Sequence, residues 1–149
     1  MIKKTFLTSL IVLFISAFLF SQEYKFSAGP RIGNSLSGSI KYAYDYQYAA
    51  ELLGGYYSLA NFEDLYVSLR GLYHTEIRTV DHLYYFYGAG VNYIFGDNEA
   101  WGITTAIGME YNFDDLPINF SIDFSPSYFF DDKYQFEINP GATLRFVLY

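Results

Sequence analysis

Polar and apolar side chains alternate along most of the chain after residue 22. The clearest example lies between residues 118 and 128, where nearly every second residue is large and apolar. The apolar face of this segment carries Ile118, Phe120, Ile122, Phe124 and Tyr128, and the other face carries Asn119, Ser121, Asp123, Ser125 and Ser127. A period of two puts neighbouring side chains on opposite faces of a β-strand, and no apolar stripe of helical spacing persists. The pattern therefore predicts strands that each have one apolar face.

Turn-forming residues divide the chain into eight predicted strands. Their approximate ranges are 24–32, 38–44, 47–57, 65–74, 85–95, 103–113, 118–128 and 134–148. Pro126 lacks a backbone N–H, so we expect it to end a strand or to introduce a bulge. Each strand and its connection occupy about 16 residues, which suits strands of about 9 to 11 residues joined by short links. The sequence predicts an all-β fold, a closed eight-stranded antiparallel up-and-down barrel.

The first 21 residues have the pattern of a secretory signal peptide. Lys3 and Lys4 precede an apolar run over residues 6–20, and Ser21 is the expected last residue before cleavage. The run is shorter than the roughly 20 residues that a membrane-spanning helix needs. We therefore divide the chain into a signal peptide at 1–21 and a barrel domain at 22–149.

Composition excludes several classes of function. The chain has 16 acidic and 9 basic residues, a formal charge of −7, and residues 22–149 retain seven basic residues for a charge of −9. Nucleic acids and anionic surfaces attract clustered Lys and Arg, so neither is the expected partner. The absence of cysteine excludes disulfide scaffolds, thiolate metal sites and cysteine nucleophiles.

The small and polar faces of the predicted strands carry a nearly balanced set of charges. Its members are Lys25, Arg31, Lys41, Arg70, Arg145, Glu51, Glu110, Asp123 and Glu137. An eight-stranded barrel is just wide enough inside for side chains, so it accommodates small polar residues and paired charges better than rows of rings. We expect the aromatic face to point outward into lipid, because a soluble monomer tolerates only small exposed apolar patches. A soluble barrel with its rings inside, and a β-sandwich, are the alternatives.

Tyrosines flank the aliphatic part of two predicted strands. Tyr48 and Tyr56 lie on either side of Leu52, and Tyr85, Tyr87 and Tyr93 flank Ala89 and Val91. A tyrosine has an apolar ring and a hydrated hydroxyl, so it favours the level of lipid headgroups. We expect these side chains to belong to two aromatic girdles.

The pattern resembles that of the small bacterial outer-membrane β-barrels of the OmpA/OmpX size class. The most specific stretch is the predicted hairpin over 107–126 with its acidic Asp114-Asp115-Leu116-Pro117 turn, and the chain ends in Tyr149, an aromatic residue that is typical of that family. The resemblance implies a transmembrane, porin-like barrel in the outer membrane of a Gram-negative bacterium, in contact with lipid and lipopolysaccharide. It also implies insertion by the barrel assembly machinery. We expect a monomer with a structural or envelope-interaction role.

The sequence predicts no catalytic, cofactor-binding or metal-binding residues. His74, Asp81 and His82 are close enough in the chain for a weak metal cluster, but we expect ordinary solvated turn residues. We expect the interior charges to fill and neutralise the barrel; a selective pore or proton path is the alternative. The remaining alternatives are a lipid-modifying enzyme and a carrier of a small apolar molecule. Loop carboxylates at Asp97, Glu99, Asp131 and Asp132 are candidates for bridging divalent ions to lipopolysaccharide.

Overall fold

The computed structural model of the chain describes residues 25–45, 47–57, 64–96, 99–113, 115–131 and 135–148. These residues form eight strands. They are β1 (Lys25–Gly33), β2 (Leu36–Ala43), β3 (Tyr48–Tyr56), β4 (Leu65–Glu76), β5 (Leu83–Phe95), β6 (Ala100–Asn112), β7 (Ile118–Phe129) and β8 (Phe136–Leu148). Every predicted strand is present, with ends that differ from the prediction by at most three residues. The signal peptide, Asp97, Asp132 and Tyr149 lie outside the described residues.

The strands form one closed barrel. Each strand pairs in antiparallel fashion with its neighbours in the chain, and β1 also pairs with β8, for example through Phe26 and Leu148. Closure leaves no unpaired sheet edge, which removes the usual site of edge-to-edge aggregation. The predicted closed eight-stranded antiparallel barrel is confirmed.

The strands are strongly tilted against the barrel axis. Followed once around the barrel from Lys25, the strand register returns to the level of Ser35, ten residues further along, when it is extended across the interruption between β6 and β7 and past the end of β1. The path runs through Ala43, Ala49, Leu72, Gly88, Ala106, Ser125 and Asn139. A stagger of that size in eight strands implies a tilt of about 40°, so that each residue advances about 2.5 Å along the axis.

Pro126 neither ends β7 nor causes a bulge, so that prediction was wrong. The strand continues to Phe129, and the register with β6 is the same on both sides of the proline, with an interruption of the pairing beside it. The proline removes one backbone N–H donor but does not insert the extra residue that defines a bulge. Its carbonyl accepts hydrogen bonds from the hydroxyls of Thr104 (3.3 Å) and Thr105 (3.5 Å). Thus threonine side chains replace part of the missing backbone pairing.

The two faces of the barrel wall differ in polarity as predicted, with apolar side chains outside and polar ones inside. On β7, Ile122 is 47% exposed on the outside, whereas its neighbour Asp123 is 2% exposed on the inside. Along β4, exposed and buried residues alternate over most of the strand. The barrel therefore has an apolar exterior and an interior rich in polar and charged side chains.

Aromatic side chains form two rings around the exterior, separated by a mostly aliphatic band. At the end of the barrel where β1 begins and β8 ends, the terminal end, the ring comprises Tyr42, Tyr48, Tyr73, Tyr85, Tyr111, Phe120 and Phe146. The ring at the opposite end comprises Tyr56, Tyr93, Phe95, Trp101, Tyr128, Phe130 and Phe136. Ring members touch their neighbours: the centroids of Tyr48 and Tyr73 are 5.2 Å apart, and those of Trp101 and Phe130 are 4.3 Å apart. From the register and the tilt, the rings lie about 20–25 Å apart along the axis.

The interior also contains two apolar clusters. The first, which we call the apolar plug, lies near the opposite end and comprises Leu53, Tyr66, Ile94, Ala100 and Phe129, with Tyr57 packed against it. The second lies on the β3–β6 side and comprises Ala49, Leu72, Phe86 and Ala106. Glycines make room for large interior groups: a Cβ at Gly108 would lie 2.6 Å from Cζ of Phe86, and one at Gly141 would lie 2.3 Å from Cζ of Arg31.

Candidate functional site

The barrel interior holds a continuous series of buried ion pairs, which we call the ion network. Its seven members alternate in sign and come from every strand except β5. In order of contact they are Arg31, Asp123, Arg70, Glu51, Arg145, Glu110 and Lys41. None is more than 5% exposed. Because each charge lies beside an opposite one, the arrangement offsets much of the cost of removing these ions from water.

Asp123 joins three strands that are not adjacent in the sheet. Its two carboxylate oxygens accept hydrogen bonds from Nη2 (2.9 Å) and Nε (3.3 Å) of Arg31 on β1. Nη1 of Arg70 on β4 donates to the same carboxylate at 3.3 Å, and so does the hydroxyl of Ser125 at 2.7 Å. The carboxylate thus ties β1, β4 and β7 together across the interior.

Glu51 occupies the middle of the ion network between two arginines. Nε of Arg70 donates to Oε2 of Glu51 at 2.7 Å, and Nη2 of Arg145 donates to Oε1. The hydroxyl of Ser39 also donates to Oε1, at 2.6 Å. Charge-assisted hydrogen bonds of this kind are about twice as strong as neutral ones. Glu51 is consequently a fixed element of the interior.

Glu110 lies at the terminal-end side of the network. Its carboxylate accepts a hydrogen bond from Nζ of Lys41, and Nη1 of Arg145 is 3.5 Å away. Nε2 of His74 lies 3.7 Å from Oε1 of Glu110, beyond hydrogen-bond distance. Arg145 also donates to the side chains of Asn119 and Ser121, each at 3.0 Å, and to the hydroxyl of Ser39 at 2.8 Å.

Seven of the nine charges that were predicted to face inward form this network. The eighth, Glu137, is half-buried near the opposite end, where its carboxylate accepts a hydrogen bond from the hydroxyl of Tyr57. The side chain of Lys25, the ninth, lies outside the described part of the chain. The ion network itself therefore contains four cations and three carboxylates, one positive charge more than a balanced set.

The two histidines lie in different environments, which corrects the prediction that both are solvated turn residues. β4 extends to Glu76, so His74 is part of the strand and shares the inward face with Arg70 and Leu72; it is 6% exposed and packs against Phe86. His82, in contrast, lies in the turn with a positive φ of 64°, next to the exposed Asp81. Within the described ranges, no three His, Asp or Glu side chains converge as a metal site requires.

A small cavity separates the ion network from the apolar plug. Arg31, Arg70, Ser68, Asn92 and Asn139 are among its polar lining, and Tyr66 of the plug covers it. It has room for about one water-sized occupant. Nη2 of Arg70 is buried and has no hydrogen-bond partner in the described structure, and the same is true of the amide oxygens of Asn92 and Asn139. Sequence reasoning placed Arg70 inside but gave no sign of this cavity, since a cavity depends on which strands face one another.

Comparison with known proteins adds no family assignment. No protein-family model matches the chain, and no curated protein matches it. In the described residues, no helix is long and apolar enough to cross a membrane.

Proposed function

We propose that the protein is a small integral barrel of a Gram-negative outer membrane with a structural or envelope-interaction role and no catalytic activity. The observation that carries this proposal is the pair of aromatic rings on the exterior, about 20–25 Å apart with an aliphatic band between them. Membrane barrels have an outward apolar band about 25 Å tall between two aromatic girdles.

The exposed side chains of the exterior favour lipid over water as the environment of the barrel. Between the rings the exposed side chains include Ile32, Leu52, Leu69, Val91, Ile107 and Ile122. On a soluble monomer these residues would form a continuous apolar surface far larger than the few hundred Å² that water tolerates. Closure of the barrel satisfies the backbone N–H and C=O groups internally, as a hydrocarbon environment requires.

The interior favours a filled barrel over a channel or an apolar carrier. The ion network crosses the interior, and the apolar plug occupies the opposite end. Eight strands leave space for side chains or for one small ligand. The interior space is here occupied by arginines and their partners, which is unsuitable for an apolar cargo.

The orientation in the membrane is inferred from the resemblance to small outer-membrane barrels, whose chain termini lie on the periplasmic side. Membrane barrels have short periplasmic turns, and an even strand count brings both chain termini to the same side. We infer that the terminal end faces the periplasm, that residues 1–21 are removed on export, and that the barrel assembly machinery inserts the chain as a monomer. Outer-membrane lipid and lipopolysaccharide are then its main partners.

Cell fractionation combined with gel mobility tests this proposal. The full chain should accumulate in the outer membrane of a Gram-negative host without residues 1–21. An unboiled sample should migrate differently from a boiled one, because a closed barrel resists unfolding by detergent. Recovery as a soluble periplasmic protein would overturn the proposal. Modification of lipid A by the purified protein, lost in His74→Ala or His82→Ala, would favour the enzyme instead.

A further inference from the structure

The cavity between the ion network and the apolar plug has features that select for a negative charge. The ion network contributes four cations and three carboxylates, so one positive charge lacks a partner of its own. Burial of an uncompensated charge is strongly unfavourable. Glu137 does not supply the missing charge there, because it accepts from Tyr57 and does not line the cavity. His74 would add positive charge if it were protonated.

Arg70 supplies a donor that is fixed in place. Its Nε is bound by Glu51 and its Nη1 by Ser125 and Asp123, so the guanidinium cannot rotate away from the cavity wall. The Arg70 side chain is only 1% exposed, yet Nη2 of the same group has no acceptor in the described structure. A guanidinium has five N–H donors, and the two on Nη2 are unused here. An anion is the ligand that matches such a pair of donors.

The rest of the lining is compatible with an anion. The second cation at the wall is Arg31, and Ser68 contributes a hydroxyl side chain. The amides of Asn92 and Asn139 each have a buried oxygen that lacks a partner, while their NH₂ groups donate to the hydroxyls of Ser127 (3.0 Å) and Ser35 (3.3 Å). Rotation of each amide by half a turn turns the NH₂ donor toward the position of this oxygen and leaves the oxygen to accept from the same hydroxyl. The space available fits one water-sized particle, which excludes sulfate, phosphate and organic anions.

We propose that this cavity binds a single monovalent anion of halide size, held by Nη2 of Arg70 with Arg31 at the same wall. The ion neutralises the excess charge of the network and fills the space below the plug. The proposal concerns the interior alone. It stands or fails independently of whether the exterior faces lipid.

The first test measures unfolding of the full barrel in a zwitterionic detergent at constant ionic strength. Replacement of gluconate by chloride or bromide should raise the midpoint temperature by several degrees with saturation, because a ligand that binds only the folded state stabilises it. Ser68→Val adds apolar bulk to the cavity wall and should abolish this halide response. The matched control is Ser27→Val: Ser27 is also buried inside the barrel but lies near the terminal end and does not line the cavity, so its halide response should persist.

The second test locates the ion and needs no variant. Crystals grown or soaked in bromide should show an anomalous scattering peak in the cavity, within contact distance of Nη2 of Arg70. A midpoint that is equal in chloride and gluconate, together with no bromide peak, would mean that water occupies the cavity and would overturn the proposal. A halide response that survives in Ser68→Val would also count against this location.

Discussion

The guanidinium of Arg31 on β1 holds both carboxylate oxygens of Asp123 on β7, at 2.9 and 3.3 Å, although the two residues are 92 positions apart in the chain. β8 lies between these two strands in the wall, so the contact spans the interior and bypasses the intervening strand. Gly141 on β8 makes the contact possible, because any side chain at that position would occupy the space of the guanidinium. Interior ion pairs of this kind supplement the backbone pairing that closes the barrel.

Gly141→Ala should destabilise the barrel strongly. The added Cβ would lie 2.3 Å from Cζ and 2.4 Å from Nη2 of Arg31, so the arginine must leave Asp123. Breaking a buried pair costs about 3–5 kcal/mol, and we expect a loss in that range in the free energy of unfolding, measured by urea titration in detergent micelles.

Gly38→Ala is the matched control for this substitution. Gly38 lies on the exposed face of β2, and a Cβ there would meet only the carbonyl oxygen of Gly54 at 3.9 Å. Alanine restricts the unfolded chain more than glycine does, so this variant should be neutral or gain up to about 1 kcal/mol. Equal losses in the two variants would contradict the role assigned to Gly141.

Asp123→Leu should leave two arginines without their shared carboxylate. Arg31 and Arg70 would then be buried with fewer opposite charges, and the free energy of unfolding should fall by about 3–5 kcal/mol. Asp115→Ala, at an exposed turn position, should change it by less than about 0.5 kcal/mol. Similar unfolding midpoints for the two variants would refute the inward orientation of Asp123.

The sequence predicts the wall of the barrel far better than the contacts inside it. A period of two identifies which face of a strand Glu51 or Lys41 occupies, and that level of prediction holds for both residues. Lys41 and Glu51 are direct partners across β2 and β3, yet Lys41 binds Glu110 and Glu51 binds the two arginines. The partner of an inward side chain depends on the stagger of the strands and on distances across the interior. The alternation of polar and apolar residues reveals neither of these. The same limit explains why the cavity beside Arg70 was not predicted.

The burial of His74 illustrates a boundary error with a chemical consequence. The predicted fourth strand ends at this residue, with a turn directly after it, but pairing with β5 continues to Glu76. Two further residues of strand are enough to place the imidazole inside, beside Phe86 and Glu110. Arg70 of the same strand was correctly predicted to face inward, and the position of the strand end was wrong.

Phe129→Ala should destabilise the barrel much more than Phe130→Ala. Phe129 is 1% exposed and belongs to the apolar plug, with its ring centroid 5.7 Å from that of Tyr57. Removing a buried phenylalanine typically costs about 3–5 kcal/mol. Phe130 points outward and would lose mainly its ring contacts with Trp101 and Tyr128, so we expect a loss of about 0.5–1.5 kcal/mol, measured by thermal or urea unfolding in micelles. Comparable losses would mean that the plug is not packed.

Arginine substitutions at two leucines of β4 test the membrane proposal most directly. Leu69 and Leu65 share a strand, a residue type, an outward direction and about half-exposed side chains. They differ in height: Leu69 lies within the aliphatic band, and Leu65 pairs with Phe95 of the ring at the opposite end. In a lipid bilayer, Leu69→Arg should cost about 2–4 kcal/mol and Leu65→Arg about 0–1 kcal/mol, because the penalty for a charge falls toward the interface. On a water-exposed surface both substitutions should be nearly neutral. Folding of the purified protein into phosphatidylcholine vesicles, followed by tryptophan fluorescence during denaturant titration, measures the difference. Equal free energies of unfolding for the two variants would remove the main support for a membrane-embedded exterior.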